Sequence, residues 1–142
     1  MTIALIMQSH GADIFTASPD DSVHAVTAKL AEKRIGALPV VDGGRIVGIF
    51  SERDVIYGLA KHGSAMMDKK VGDVMTSPAI TVTADTPILS ALSLMSRRRI
   101  RHLPVADGDH LVGFVSIGDL VKHRIERIEA EASAMRDYIQ MA

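Results

Sequence analysis

One stretch of this chain occurs twice, and that repetition limits the fold more than any other feature. The segment RIGALPVVDGGRIVGIFSERDVI, Arg34 to Ile56, returns without a gap as RIRHLPVADGDHLVGFVSIGDLV, Arg99 to Val121. Extended back to Ser18 and Thr83, the copies share about a dozen identities over roughly forty aligned positions. So ordered a match implies a duplicated unit whose two copies lean on each other.

Each copy changes its hydrophobic period at the same place. Apolar residues first recur at helical spacing, in Val23, Val26 and Leu30 and in Ile88, Ala91, Leu92 and Met95. Two β-rich runs follow, Ala37 to Val41 and Arg45 to Phe50, joined by DGG. Their counterparts are His102 to Ala106 and His110 to Val115, joined by DGD, so each pair reads as a hairpin. A further strand is expected before each helix, at Ile14 to Ala17 and Ile80 to Thr83, followed by the helix-entry strings SPDDS and ADTP. Ser51 and Ser116 end the second hairpin strands, and Asp54 and Asp119 stand where short polar side chains satisfy the free amides of a new helix.

Each half therefore reads strand, helix, strand, strand, helix, an α+β (α/β) arrangement. About sixty residues bury surface inefficiently, so the two sheets are expected to pack together around a shared core in a pseudo-twofold arrangement. The expected boundaries are 1–62 for the first repeat, 63–75 for a connector, 76–125 for the second repeat and 126–142 for a C-terminal helical extension.

Composition narrows the function classes. Sixteen basic and seventeen acidic residues leave a formal charge of −1, so no overall field draws the chain to nucleic acid or anionic membrane. The absence of cysteine excludes disulfides, Cys-ligated zinc and a thiol nucleophile, and fits a reducing compartment; the cytoplasm is the expected location. The opening MTIALIMQSHGAD lacks a basic leader and a cleavage site and reads as neither secretion signal nor anchor. No nucleophile elbow, phosphate loop or His-Glu-x-x-His string occurs and the six histidines are scattered, so no catalytic residue and no metal site is expected.

With Ile35 through Pro39, Gly48, Ser51 and Asp54 in one copy, and Ile100 through Pro104, Gly113, Ser116 and Asp119 in the other, both repeats resemble the CBS domain family, named for the segment appended to cystathionine β-synthase. DVMTSP also resembles the entry to a second CBS unit, and the resemblance covers nearly the whole chain. It implies a stand-alone pair of βαββα repeats with two symmetry-related clefts. It further implies a regulatory sensor of adenine nucleotides, AMP first, with ADP, ATP, NAD(H) and S-adenosylmethionine open, and no catalysis of its own.

The same resemblance assembles each cleft across the repeat. One joins Arg101 and His102 to Ser51, Arg53 and Asp54, with Ile80 near the base; its basic groups suit a phosphate. The other joins Ile35, Gly36 and Ala37 to Ser116, Gly118 and Asp119, with Ile14 and Phe15 nearby, and is expected to lack basic groups and to bind weakly or to favour a nucleoside. Asp54 and Asp119 would accept from ribose hydroxyls, while Ser51 and Ser116 would present hydroxyls and amides to phosphate. Each Ser-x-x-Asp string is also a plain helix cap; its presence in both copies favours the ligand. Arg97 and Arg98 read as solvated.

Beyond Asp119 the chain runs on without Gly or Pro, placing Val121, Ile125, Ile128, Ala132, Met135 and Ile139 at steps of four and three. Arg124, Glu126, Arg127, Glu129 and Glu131 flank this heptad seam. It either folds back on its own module or meets a second copy. The second is favoured, giving a homodimer with Ile125, Ile128 and Met135 in contact. Competing functions are a structural pairing module that recruits a protein partner and a CBS module for nucleic acid or metal. Any effector protein is unnamed by the sequence.

Overall fold

The computed structural model describes residues 1–10 and 14–141; Ala142, the last residue of the expected extension, lies outside them. In chain order the elements are α1 (Ile3–His10), α2 (Val23–Lys33), β1 (Ala37–Asp42), β2 (Arg45–Ser51), α3 (Glu52–His62), a 3-10 segment (Gly63–Asp68), α4 (Val71–Val74), α5 (Ile88–Arg98), β3 (His102–Asp107), β4 (His110–Ser116) and α6 (Ile117–Met141).

The repeat seen in the sequence is a repeat in register. Hairpin β1–β2 pairs Ala37 with Ser51 and Asp42 with Arg45, and hairpin β3–β4 pairs His102 with Ser116 and Asp107 with His110. Both carry an irregularity at the same place, between Val40 and Val41 and between Val105 and Ala106. The hairpins join at Arg45 and His110, giving one four-stranded sheet of order β1-β2-β4-β3. Two reciprocal bonds flank that junction: Ile46 N–H donates to the Asp109 carbonyl at 2.9 Å, and Leu111 N–H to that of Gly44 at 3.1 Å.

The strand expected before each helix is reduced to one residue. Ala17 bridges in parallel to Val40, donating to the Pro39 carbonyl (3.1 Å) and accepting from Val41 N–H (2.8 Å). Val82 does the same between Pro104 (3.0 Å) and Ala106 (2.8 Å). One more ladder step toward the N-terminus would need an N–H from Pro39 or Pro104, which proline lacks.

Among the described residues the buried side chains form two clusters instead of one shared core. The first gathers Ala17, Val23, Val26, Leu30, Leu38, Val40 and Phe50 with Met66 and Val71. The second gathers Val82, Ile88, Ala91, Met95, Leu103, Val105, Val115 and Leu120 with Ile3 and Ile6. Because the hairpins meet edge to edge, each keeps its own apolar face against its own helices. What ties the halves together is an exchange of segments. Helix α1 packs on the second core, with Ile3 N–H donating to the Thr86 carbonyl (2.9 Å) and Ala4 N–H to that of Ala84 (2.9 Å). The connector packs on the first, where Val71 N–H reaches the Asp21 carbonyl (2.8 Å) and Gly72 N–H that of Pro19 (2.9 Å). Among the described residues no helix is long and apolar enough to cross a membrane.

Helix ends repeat as well. Helices α2 and α5 close on Arg34 and Arg99, both left-handed at φ 54°, which turns the chain directly into the next strand. Helix α6 runs for 25 residues and buries only Leu120; Val121, Ile125, Ile128, Met135 and Ile139 face solvent and do not fold back.

Candidate functional site

The strand starts and helix entrances that border the clefts are held by local bonds. In each repeat the residue two after the left-handed arginine accepts from the first helical N–H: the Gly36 carbonyl from Glu52 (3.0 Å), the Arg101 carbonyl from Ile117 (2.8 Å). Ser51 then caps α3 in a reciprocal box. Its Oγ accepts from Asp54 N–H (3.3 Å), and Asp54 Oδ2 accepts from Ser51 N–H (2.9 Å) and Oγ–H (3.1 Å). Ser116 and Asp119 repeat the box, with Asp119 N–H donating to Ser116 Oγ (3.2 Å) and Ser116 N–H to Asp119 Oδ2 (2.8 Å). The capping reading of both Ser-x-x-Asp strings is therefore realised, and any ligand role comes on top of it.

The first cleft is a cavity of about 190 Å³ that brings together Ser51, Arg53, Asp54, Ile80, Arg101 and His102. Thr76, Pro78, Ala79, Ile49 and Ile100 complete its walls, together with Glu52, Gly36 and Ala37. Thr76 is held by reciprocal backbone bonds to Ile49, 2.9 Å each way, and its hydroxyl donates to Asp54 Oδ1 (2.9 Å). A carboxylate offers about four lone-pair positions, so these bonds leave Asp54 Oδ1 about one acceptor for an incoming hydroxyl. Two arginines also reach across the repeats. Arg53 Nη1 donates to the Arg99 carbonyl (3.2 Å), and Arg101 Nη2 pairs with Glu52 Oε1 (3.0 Å).

The second cleft, about 570 Å³, gathers Ile14, Phe15, Ile35, Gly36, Ala37, Ser116 and Asp119; Gly118 is not on its wall. It was expected to lack basic groups, yet Arg34 and His102 both line it. Arg34 stands there because it caps α2 one residue before Ile35, and His102 because a single imidazole divides the two clefts. Phe114 adds an aromatic wall, with its ring 5.7 Å from that of His102 and nearly parallel to it at 11°. Lys33 lies 5.1 Å from the centre of the Phe15 ring.

A third cavity of about 580 Å³ shares walls with both clefts, taking Gly36 and His102 from both, Glu52 and Arg101 from the first, and Arg34 and Ser116 from the second. His102 therefore borders all three spaces. Burial lowers its pKa below the ordinary value, and the Arg101 charge pushes the same way; Glu52 and Asp119 pull upward without winning. At neutral pH the uncharged ring therefore predominates.

Sequence reasoning missed Glu52, Thr76 and Arg34. The mismatch of Glu52 with Ile117, its counterpart in the other repeat, was the one available signal for Glu52. Thr76 enters through a contact between segments distant in sequence, and no local pattern marks it. Among the described residues no cluster of His, Asp and Glu is arranged to hold a metal ion.

Two repeats built as capped hairpins, with clefts assembled across them, define a paired-repeat module. The CBS domain family profile matches residues 5–61 and 71–126, and the chain belongs to that family. It is 35% identical to the mitochondrial CBS domain-containing protein CBSX3 of Arabidopsis thaliana, over 98% of this chain and 72% of the relative. It is also 33% identical to an inosine-5'-monophosphate dehydrogenase of Thermoplasma acidophilum over 77% of this chain, but only 21% of that enzyme. Among solved structures, a protein with CBS domains from Burkholderia ambifaria superposes with a TM-score of 0.82 at 38% identity, covering 89% of this chain and 95% of that one. CBSX2 in complex with AMP matches at 0.75 and 29%, covering 88% and 96%. The CBS pair of MJ0100 in complex with 5'-methylthioadenosine and S-adenosylmethionine matches at 0.78 and 26%, covering 89% and 98%.

Proposed function

We propose that this chain is a non-catalytic sensor of adenosyl ligands, with AMP as the first candidate and ATP or NAD(H) as further ones. The observation that carries the reading is the first cleft. It sets an acceptor (Asp54), a basic pair (Arg53 and Arg101), a titratable imidazole (His102) and an apolar wall (Ile80, Pro78) around one cavity. These are the services a nucleoside phosphate needs: an apolar slot for the base, a carboxylate for the ribose, and donors for phosphate. The complexes of CBSX2 with AMP and of MJ0100 with adenosyl compounds support the ligand class.

The second cleft, with Phe15 and Phe114 beside Arg34, is the place for a second adenosyl group. Ligand occupancy would bias the packing of one repeat on the other, and an effector protein or second copy would read the change. The homodimer is part of the same reading, formed through the module face and α6. A cytoplasmic location belongs to the same reading, while one relative is described as mitochondrial.

The test is a thermal-shift and calorimetric panel of AMP, ATP, NADH and S-adenosylmethionine against the wild type, Asp54→Ala and Asp119→Ala. A ligand of the native state raises the melting temperature. AMP is expected to bind, and loss of a charge-assisted bond in Asp54→Ala to weaken it by about tenfold or more, on the order of 1.5–3 kcal/mol. No binding by any of the four compounds would replace the sensor with a structural pairing module.

A further inference from the structure

We propose that α6 pairs in parallel and in register with α6 of a second copy of this chain, and that flanking charges select that orientation. The inference rests on the homodimer reading above and adds the geometry of the contact.

The helix presents two stripes. Leu120 is buried and Ile117 partly buried, both turned onto the second core. One residue further round, the seam faces outward, from Val121 at 41% exposed to Ile139 at 64%. A solvent-facing apolar stripe that continues for about five turns has no use in the monomer. The spacing places Ile125, Ala132 and Ile139 at the a positions of a heptad and Val121, Ile128 and Met135 at the d positions. Isoleucine at two of the three a positions, with Val121, Ile128 and Met135 at d, gives a continuous apolar seam for knobs-into-holes packing.

Charge decides the orientation independently. The g positions hold Arg124, Glu131 and Tyr138, and the e positions Lys122, Glu129 and Arg136. In a parallel pair each g residue faces the e residue five positions on in the second copy. Arg124 then meets Glu129, and Glu131 meets Arg136; symmetry repeats both pairs, so all four contacts are between opposite charges. In an antiparallel pair built on the same seam, like positions face each other. Glu129 would meet Glu129, Glu131 would meet Glu131, and Lys122 would meet Arg136, so every close pair of charges would repel. The pair within one helix, Arg127 to Glu131 at 3.1 Å, is exposed and competes only weakly for Glu131.

Val121 to Ile139 spans roughly 28 Å at the helical rise. Three heptads are marginal for a free pair of helices. The coil therefore forms in the intact chain and not in an excised peptide.

The chain has no cysteine, so a single introduced thiol reports the geometry cleanly. The experiment compares Ala132→Cys, at an a position, with Ala130→Cys, on the outer f position, in the full chain under mild oxidation, beside sedimentation of the uncrosslinked proteins. Parallel pairing brings the two thiols of Ala132→Cys into one layer within disulfide reach, so that variant is expected to crosslink at least about tenfold faster than Ala130→Cys. Glu129→Arg is expected to weaken the dimer by about tenfold or more, and adding Arg124→Glu to restore it. A wild-type dimer in which both cysteine variants crosslink equally slowly, or in which charge reversal has no effect, overturns the helix pairing while leaving the homodimer standing. A wild type that sediments as a monomer at tens of micromolar overturns both. An unchanged circular-dichroism spectrum and a single cooperative unfolding transition in the variants separate a lost contact from a lost fold.

Discussion

The two clefts share a scaffold and differ in chemistry. Both rest on a Ser-Asp capping box at a helix entrance and on a strand that starts three residues after a left-handed arginine. The residues that do this backbone work are the same in the two repeats. The difference lies where the repeats diverge: Arg101 stands opposite Glu52 in the first cleft, while the matching positions in the second are Gly36 and Ile117. The first cleft is small and strongly charged, the second three times larger and walled by Phe15 and Phe114. Duplication kept what the fold needs, and each cleft acquired its character through positions that the fold leaves unconstrained.

The sharpest way to break that comparison is at paired glycines. A Cβ on Gly48 would lie 2.7 Å from Met75 Sδ and 2.8 Å from the Thr76 carbonyl oxygen, a backbone atom locked to Ile49. A Cβ on Gly113 meets Met7 Cε at 3.0 Å, the movable end of a side chain. Gly48→Ala is expected to destabilise by about 1–3 kcal/mol in urea unfolding, and Gly113→Ala by less than about 1. Gly48→Ala should also weaken ligand binding in the first cleft, because it moves Thr76 away from Asp54. Equal costs would mean that the entry segments pack alike in both halves.

A smaller effect separates the charges. Arg101→Ala is expected to reduce AMP affinity by about tenfold while leaving adenosine within about twofold, the cost of one charge-assisted contact to phosphate. Glu52→Gln removes the carboxylate that competes for Arg101 and is expected to raise AMP affinity by about two- to fivefold, since the pair is exposed and weak. Calorimetry on AMP and adenosine side by side reads both. If Arg34→Ala and not Arg101→Ala removed the preference for AMP, the phosphate would belong to the second cleft.

The smallest effect concerns His102, the wall common to both. Its pKa is lowered in the folded chain, so the unfolded state binds its proton first as pH falls. The stability that the neutral ring contributes is full above about pH 6.5, the unfolded value, and is lost as pH falls through the lowered folded value. His102→Gln should flatten the decline of stability between about pH 7 and 5 relative to wild type. AMP affinity should rise as pH falls over the same range in wild type alone, since a phosphate favours the charged ring.

Much of this molecule was legible in the chain because its signals are local. Hairpin boundaries follow from apolar runs closed by DGG and DGD, the helix entrances from Ser51 and Ser116, and the duplication from plain alignment. The grouping of Arg101 and His102 with Ser51, Arg53 and Asp54 came from the family resemblance, and the structure brings those side chains to one cavity. Gly118 is not among the residues that line the second cleft, and its position in the first turn of a helix says nothing of which way it points. Arg34 was missed because a left-handed arginine after a helix looks like any other basic residue.

The sequence by itself determined the two hairpins, the helices that flank them, their duplication and the heptad spacing of α6, all set by periodicity and capping within about a dozen residues. Tertiary structure alone decided that α1 belongs with the second core and the connector with the first, that two cores replace one, and that His102 is shared by three cavities. The reason is physical. A local pattern states which face of an element is apolar, but which face of another element covers it depends on all segments competing at once to bury their surface.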